Sequence, residues 1–418
     1  MSAQRITTLG TFIWAIGTLF YTFEMLIKSS VSAMSGIFID GFAFTGVQLS
    51  WIGSTFYIVY VCMQVPAGLL SDRLGIRISL SLATALCAFG TLLFAYADSF
   101  GLFVFSRAVM GAGGSFAFVS AMKLASMWFP GRIFPIAAGL TQLLGYLGGA
   151  LAGTPLSILV TSESWDHVFA TMSIVGFGIF LSCLFFVRAA NIAGPAGVNK
   201  PTFIQTVKQL IRLATNGQVL LNGVFCATTV GVAFAMADLW GKQYLMNVRG
   251  VSEAVAALAV TSLIFIGIAT SSPIWGAVAT AINRNKGLLV TGGVLGIIST
   301  ILMLYTPVPV WCLYILGYLI GAAQASHVLN FDVVKKQIHA DYIGTAVAFL
   351  NMFAIGGAAL TQLIIGFVMD GMKSGDSYTS ENFKIALCVI PILFIIATLA
   401  AIMIKDKPEK DIHFEHHE

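Results

Sequence analysis

Long apolar segments separated by short polar turns recur from Leu9 almost to Ile404. A helix needs about 20 mostly apolar residues to cross a bilayer, and twelve segments of the chain reach about that length. We name them helix 1 to helix 12 and predict them at residues 9–35, 47–70, 77–97, 101–127, 133–160, 167–188, 217–246, 253–281, 287–306, 310–334, 343–369 and 385–404. This pattern predicts an all-α membrane protein with twelve transmembrane helices.

The longest polar interruption separates helix 6 from helix 7. Its first part is rich in glycine and proline, and its second part is amphipathic, with Leu210 and Ile211 opposite Lys208 and Arg212. Such a stretch is typical of a short helix that lies at the membrane surface. The predicted organisation is an N-terminal six-helix bundle, a cytoplasmic linker with an interfacial helix, and a C-terminal six-helix bundle with a short cytoplasmic tail, at residues 1–189, 190–216 and 217–418.

The two groups of six helices resemble each other at one fixed spacing. Gly68 in helix 2 corresponds to Gly276 in helix 8, and the glycine pair 148–149 in helix 5 corresponds to the pair 356–357 in helix 11. A duplication of six helices in parallel orientation would produce such matches. The halves are therefore predicted to be pseudo-symmetric.

Composition and charge exclude several classes of protein. Hydrophobic residues make up 58% of the chain and charged residues 10%, whereas about 25% are charged in soluble domains. The net charge of +4 comes without a basic cluster, so nucleic acid is not an expected partner. The six cysteines lie in apolar stretches without the spacing of a metal site. With loops too short for a catalytic domain, we expect no enzyme, no cofactor and no metal.

The lysines and arginines outside the helices predict the orientation. Cytoplasmic loops of membrane proteins carry an excess of these residues. With the N-terminus in the cytoplasm, fifteen fall on that side and three on the other. The fifteen are Arg5, Arg73, Arg77, Arg132, Arg188, Lys200, Lys208, Arg212, Arg284, Lys286, Lys335, Lys336, Lys405, Lys407 and Lys410, and the three are Arg249, Lys373 and Lys384. We predict a multi-pass protein of the inner (plasma) membrane with both termini cytoplasmic. Cleavage of helix 1 as a signal peptide would break this even count, so helix 1 is expected to be retained.

The turn between helices 2 and 3 carries the most specific motif in the chain. Residues 68–77 read GLLSDRLGIR, which closely resembles the loop motif of the major facilitator superfamily at this position. The resemblance implies two six-helix bundles and secondary transport. It also implies that Asp72, Arg73 and Arg77, with Gly68 and Gly75, latch the halves together on the cytoplasmic side while the cavity faces outward.

Two further segments resemble the same family less completely. Residues 276–284 form a degraded copy of the loop motif, with Thr280 in place of the acid and Arg284 retained. Helix 4 contains Arg107 followed by a glycine-rich stretch, a pattern associated with proton-coupled members. The glycines of helix 5 resemble the antiporter signature only in part, because the usual Gly-Pro order is missing. The resemblance implies gating roles for Arg107 and Arg284.

Ionisable residues inside the predicted helices mark a candidate site. A charge at mid-bilayer costs at least ~2.5 kcal/mol, so such residues are usually functional. In the resembled fold, helices 1, 4, 7 and 10 line the central cavity. Apart from residues at the first or last position of a predicted segment, the ionisable residues fall in those four helices: Glu24, Lys28, Arg107, Lys123, Asp238, Lys242, His327 and Asp332.

Glu24 and Lys28, like Asp238 and Lys242, are an acid followed four residues later by a lysine. In an α-helix this spacing places both groups on one face and within reach of each other. Each pair either neutralises itself or exchanges partners with substrate and proton during transport. In the second case Glu24 or Asp238 is the proton-coupling group.

Candidate substrate ligands lie on the same four helices. Lys28 could bind an anionic group, and Lys123, which has no acidic neighbour in helix 4, either does the same or extends to the cytoplasmic surface. His327 is either a proton or substrate ligand or a neutral core residue. The polar and aromatic candidates are Tyr21, Trp240, Gln243, Gln324 and Asn330.

These features favour a monomeric, proton-coupled importer of a small polar, charged metabolite. Amino acids, carboxylates, nucleosides and phosphorylated solutes all remain open as substrates, and sodium remains open as the coupling ion. The chain lacks a phosphate-binding Gly-rich motif, so an ion gradient rather than ATP would drive transport. The alternatives are a proton-coupled drug or metabolite exporter and, more distantly, a membrane receptor that does not transport.

Overall fold

The computed structural model describes residues 7–129, 133–188, 203–282, 284–338, 343–373 and 378–405, apart from the side chains of Asp72 and Pro135. Within these ranges the chain is helical and has no strand. Twelve helices are long and apolar enough to span a membrane. Helices 1 to 12 run Thr8–Gly41, Gly46–Ser71, Gly75–Ala95, Phe100–Trp128, Ile136–Ser162, Trp165–Phe186, Gly217–Arg249, Glu253–Ile282, Asn285–Tyr305, Val310–Gln337, Ile343–Gly371 and Ser380–Met403. The predicted twelve-helix fold is confirmed.

Local capping explains where several helices begin and end. Helix 2 begins at a capping box in which Thr45 and Gln48 satisfy each other's backbone N–H groups. Helix 7 ends at Gly250, whose φ of +64° suits glycine. Gly75 at the turn between helices 2 and 3 has a φ of +76°. These caps reverse the chain within few residues, which keeps the loops short.

Several helices contain irregular turns. Helix 7 contains a π-helical turn at Met236–Trp240, and helix 8 contains one at Leu258–Ser262. Helix 1 is interrupted at Ser30 and ends in a π-helical turn at Ile37–Gly41, so it continues past the predicted end near residue 35. Such turns redirect side chains and are frequent at functional sites.

The helix pairings repeat between the two halves. In the N-terminal half, helix 1 packs on helix 5, helix 2 on helix 4, and helix 3 on helices 4 and 6. In the C-terminal half the corresponding pairs are helices 7 and 11, 8 and 10, 9 and 10, and 9 and 12. Helix 2 packs on helix 11, and helix 5 on helix 8, across the interface. This pattern is the pseudo-symmetry that the spacing of the glycines predicted.

The glycine pairs of helices 5 and 11 permit close contact with helices 1 and 7. A Cβ atom at Gly148 would lie 2.1 Å from the carbonyl oxygen of Thr22 in helix 1. A Cβ atom at Gly357 would likewise lie 2.1 Å from the carbonyl oxygen of Ala227 in helix 7. One glycine of each pair therefore lets two helices of the same half pack closely, because a larger residue would force the backbones apart. The contacting glycines, Gly148 and Gly357, are one position out of register with the fixed spacing between the halves.

The linker helix, Phe203–Thr215, lies at the ends of the bundles. It contacts helix 2 from the N-terminal half and helices 7 and 11 from the C-terminal half. We call the side of the molecule that contains this helix, Thr7 and Lys405 the terminal face, and the other side the opposite face. The first part of the predicted linker, residues 190–202, lies outside the described residues.

Candidate functional site

The described hydrogen bonds between the halves lie toward the opposite face. Ser50 and Ser54 of helix 2 donate to the carbonyl groups of Gln362 and Ala359 in helix 11, at 2.7 and 3.1 Å. Ser262 of helix 8 donates to the carbonyl group of Ala150 in helix 5 at 2.9 Å. These contacts hold the two bundles together on that side and leave space between them nearer the terminal face.

A cavity of about 440 Å³ occupies this space. Helices 1, 2, 4 and 5 form one wall, and helices 7, 10 and 11 form the other. Lys335, which is exposed, lies among the lining residues and marks the end nearer the terminal face. The polar and ionisable lining residues are Tyr21, Glu24, Lys28, Tyr57, Tyr60, Gln142, Tyr146, His327, Lys335 and Asn351.

Glu24 lies on the cavity wall formed by helix 1 and is 2% exposed. Helix 4 approaches it through Gly114, where a Cβ atom would lie 3.1 Å from Glu24 Cγ. Tyr21, Tyr60 and Tyr146 line the same cavity as Glu24. No hydrogen bond or ion pair joins this carboxyl group to another described residue. Glu24 is therefore a nearly buried acid that faces a space large enough for a solute.

Asp238 lies deeper between the halves, within the π-helical turn of helix 7. It is 2% exposed, and the hydroxyl group of Tyr57 in helix 2 donates a hydrogen bond to it across the interface. Lys28 and Arg107 are the cations that act on its charge. Asp238 therefore takes part in a contact that links the two halves.

Lys28 is a buried cation of helix 1, four residues after Glu24. Its Nζ lies 4.4 Å from the ring centroid of Phe234 in helix 7, and the residue is 4% exposed. Among the described residues no carboxylate oxygen lies within 4 Å of that nitrogen, so Glu24 and Lys28 do not form the ion pair that was one of the two alternatives for their spacing. The ammonium group therefore lines the cavity without a bound counterion from the described protein.

Lys242 does not pair with Asp238, which corrects the prediction from their spacing. Its ammonium group forms an ion pair with Glu253 of helix 8 at 2.8 Å and donates to the carbonyl group of Ala33 in helix 1 at 3.3 Å. The π-helical turn at Asp238 holds more residues than an α-helical turn, so positions four apart no longer stack. Lys242 consequently contributes to the closed side rather than to the cavity.

Arg107 is fully buried behind the cavity and does not line it. Its guanidinium group donates to the carbonyl groups of Ile27 and Lys28 at 2.7 and 2.8 Å, and to that of Ile52 at 3.2 Å. The first two acceptors lie directly before the interruption of helix 1 at Ser30. Arg107 therefore supplies the donors that the interrupted helix lacks.

The other predicted substrate ligands divide into two groups. Tyr21 and His327 line the cavity, and His327 Nδ1 lies 3.0 Å from the carbonyl oxygen of Gln324. The remaining candidates lie elsewhere. Trp240 donates a hydrogen bond to the Gln362 carbonyl group, and Gln243 donates one to the Ser35 hydroxyl group. Lys123 donates one to the Ser71 carbonyl group. Gln324 and Asn330 are fully buried in helix 10.

The predicted gating residues of the loop motif lie at the terminal face. Arg73 is exposed at the end of helix 2, and Arg77 donates to the Leu184 carbonyl group of helix 6 at 2.7 Å. Among the described residues, no atom beyond the local backbone lies within 4 Å of a Cβ atom built at Gly68 or Gly75. The Asp72 side chain lies outside the described part of the chain, and Arg284 is exposed before helix 9. The latch role of these residues stays a prediction.

Several uncharged lining residues were not predicted from the sequence. Tyr57 and Tyr60 lie three positions apart in helix 2, and Gln142 and Tyr146 lie four apart in helix 5. Both spacings place the two side chains on one helix face. Polar side chains at helical spacing in otherwise apolar helices could therefore have indicated these lining residues from the sequence.

Comparison with known proteins identifies the family. The family model described as "Major Facilitator Superfamily" matches residues 8–361 and 243–416. The fosmidomycin resistance protein of Escherichia coli (strain K12) is 24% identical over 92% of this chain and 91% of its own. The hexuronate transporter of Bacillus subtilis (strain 168) is 23% identical over 86% and 87%. The probable galactarate/D-glucarate transporter GarP of E. coli (strain K12) is 21% identical over 79% and 81%.

Solved structures show the same fold. A bacterial homologue of the human lysosomal transporter Spinster superposes with a TM-score of 0.78 over 97% of this chain and 100% of that one, at 14% identity. A mutant of the nucleoside transporter NupG also gives a TM-score of 0.78, over 95% and 100%, at 12% identity. Together with the family match, the twelve helices and the cavity between two pseudo-symmetric halves, these likenesses establish that the chain belongs to the major facilitator superfamily of membrane transporters.

Proposed function

We propose that this transporter imports a small organic carboxylate together with a proton. The observation that carries the proposal is the cavity in which Glu24, an acid without a described partner, lies one helical turn from Lys28, a cation without a described carboxylate partner. A substrate anion at Lys28 and a proton on Glu24 would satisfy both groups. Glu24 and Asp238 are the proposed proton-coupling residues, and Lys28, Tyr21 and His327 the proposed substrate ligands.

The balance of charges favours coupling between the two ligands. Glu24, Asp238, Lys28 and Arg107 are buried near enough for their charges to influence one another, so this group of four is neutral when all are ionised. A proton alone would leave it with excess positive charge, and an anion alone with excess negative charge, in a medium of low dielectric constant. Binding both restores neutrality, so each should strengthen the binding of the other.

The named relatives support an anionic substrate. One is a hexuronate transporter, and another is a probable galactarate/D-glucarate transporter. Both names denote sugar acids, which combine a carboxylate with hydroxyl groups. The cavity combines cations on both walls, Lys28 on one and Lys335 on the other, with tyrosine and amide groups that could bind hydroxyls. We therefore extend the proposal to sugar acids as the first substrates to test.

The decisive experiment is uptake by purified protein in proteoliposomes. Labelled hexuronates, aldarates, amino acids, nucleosides and sugar phosphates are supplied with and without an inward pH gradient, and separately with a sodium gradient. We expect accumulation of one or more sugar acids that requires the pH gradient. Accumulation of neutral nucleosides only, or driven only by sodium, would contradict the proposal.

An exporter is the second candidate, because the similarity to the fosmidomycin resistance protein covers 92% of this chain. In an exporter, inward proton movement would drive the solute outward. Vesicles preloaded with labelled substrate distinguish the two cases: an external acid pulse empties them for an antiporter and slows their loss of substrate for a symporter.

Lys28→Ala is expected to weaken substrate binding. Removing a charge-assisted contact of about 1.5–3 kcal/mol corresponds to a rise in KM of roughly ten- to 150-fold. Initial rates of uptake against substrate concentration measure it, with Lys28→Arg expected to recover part of the affinity. Lys336→Ala is the control, because Lys336 pairs with Asp332 at 2.7 Å and does not line the cavity. Equal KM values for the two alanine variants would exclude Lys28 as a ligand.

We also propose that the terminal face is cytoplasmic and that residues 190–216 are the linker between the two bundles. The excess of lysine and arginine on that side supports this orientation. Reporter fusions after Lys200 and after Lys373 should report opposite sides of the membrane, the first cytoplasmic. If the fusion after Lys200 reports the outer side, the orientation is the reverse of the proposed one. If both fusions report the same side, the chain does not cross the membrane twelve times.

A further inference from the structure

Helix 11 ends against the beginning of helix 2, on the opposite face of the molecule. The Asp370 carboxylate accepts hydrogen bonds from the backbone N–H groups of Gly46 and Val47, at 2.8 and 2.9 Å. Tyr378, which follows helix 11, donates its hydroxyl hydrogen to the same carboxylate. The Gly46 N–H group also lies 2.6 Å from the Tyr378 hydroxyl oxygen. A carboxylate from the C-terminal half thus caps a helix of the N-terminal half.

The first turn of helix 2 explains why an acid fits there. A helix begins with N–H groups that have no partner in the helix itself. The capping box satisfies two of them, because Thr45 N–H donates to Gln48 Oε1 at 3.0 Å and Gln48 N–H donates to Thr45 Oγ1 at 3.2 Å. The two that remain are those of Gly46 and Val47, which Asp370 binds. The negative charge also faces the positive end of the helix dipole.

The packing at this point requires glycine. A Cβ atom at position 46 would lie 2.9 Å from Asp370 Oδ1 and 3.3 Å from Met369 Cβ. A larger residue would hold helix 11 away and lengthen the two hydrogen bonds. Gly46, Val47, Asp370 and Tyr378 therefore form one contact, which we name the helix 2–helix 11 clamp.

We propose that the helix 2–helix 11 clamp is a gate of the transport cycle, in which Asp370 holds the opposite face closed and releases helix 2 when that face opens. Opening exposes the Gly46 and Val47 N–H groups to water, which can replace the carboxylate. The clamp therefore adjusts the ratio of the two conformations without making either one impossible. This proposal requires only that the transporter opens alternately at its two faces, and it does not depend on the proposed substrate or proton coupling.

The test measures the distance between the halves at the opposite face. Spin labels at Ser99→Cys in the N-terminal half and Ala254→Cys in the C-terminal half, in a background lacking Cys62, Cys312 and Cys388, report opening in reconstituted full-length protein. Asp370→Ala should raise the population with the long distance by roughly five- to 150-fold. Asp370→Asn and Tyr378→Phe should each give a smaller rise, because each retains part of the contact.

Asp98→Ala is the matched control, because Asp98 is an exposed acid on the same face between helices 3 and 4 of one half. A distance distribution for Asp370→Ala that equals those of Asp98→Ala and the parent protein would overturn the proposal. If Asp370→Ala fails to fold, Tyr378→Phe decides in its place. A change in thermal stability without a change in the distance distribution would mean that the contact is structural only and would equally overturn the gate.

Discussion

Glu24→Gln is expected to abolish uptake driven by a pH gradient while leaving exchange of labelled for unlabelled substrate active. Glutamine keeps the size and hydrogen-bonding capacity of the acid but cannot take up and release a proton. Net proton-coupled import needs the site to return in a different protonation state, whereas exchange needs only the loaded carrier. Labelled substrate should therefore enter only vesicles that were preloaded with unlabelled substrate, without a rise in the total amount inside. Parallel uptake and exchange assays on one reconstituted preparation measure both activities.

Two further variants make this result specific. Glu163→Gln alters an exposed acid on the opposite face, and it should accumulate substrate like the parent protein. Asp238→Asn removes the other buried acid. This variant should lose accumulation of substrate only if Asp238 also binds the transported proton. If Glu24→Gln and Asp238→Asn both retain full accumulation, protons couple elsewhere, and His327 or a sodium gradient would be tested next.

Gly366→Ala should shift the protein toward the conformation that is open at the opposite face. An added Cβ atom would lie 2.2 Å from Ser50 Oγ and 2.7 Å from the Gly46 carbonyl oxygen, so helix 11 could no longer rest on helix 2. Overpacking of this kind costs about 1–3 kcal/mol, which corresponds to a population shift of roughly five- to 150-fold. Labels at Ser99 and Ala254 measure the shift, and substrate turnover should fall with it.

Gly356→Ala provides the comparison within the same helix. In the described part of the chain, no atom beyond the local helix backbone lies within 4 Å of a Cβ atom at that position, so the substitution changes helix propensity without creating a clash. Equal distance distributions for the two alanine variants would show that close contact of helices 2 and 11 does not control which face is open.

The helices could be predicted from the sequence because lipid allows few alternatives. A spanning segment must be long, apolar and internally hydrogen bonded, so hydrophobic runs and polar turns locate it directly. Helix 1 is the informative exception: its π-helical turn at Ile37–Gly41 carries the chain beyond the polar residues that suggested an end. The duplicated glycines agree with the pairing of helices only in part. Gly148 and Gly357 lie where helix 5 meets helix 1 and helix 11 meets helix 7, whereas Gly68 and Gly276 lie at no such contact.

The candidate site was predictable only in part. Glu24, Lys28 and His327 were found because ionisable residues are rare inside membrane helices, and all three line the cavity. The same criterion selected Lys123 and Lys242, whose long side chains reach other partners. Lys242 was placed wrongly because the prediction assumed a regular α-helix between Asp238 and Lys242, whereas the π-helical turn Met236–Trp240 includes Asp238. Tyr57, Tyr60 and Tyr146 carry no charge and gave no comparable signal.

The three carbonyl groups that bind the Arg107 guanidinium belong to residues synthesised before it, Ile27, Lys28 and Ile52. An isolated arginine at mid-bilayer costs about 2.5–3.5 kcal/mol on insertion scales. Synthesis from the N-terminus thus supplies the acceptors before the charge that needs them, provided that helices 1 and 2 have not yet diffused away. Helix 4 is accordingly expected to leave the insertion machinery together with helices 1 and 2. The order of residues in the chain therefore also sets an order of assembly during biogenesis.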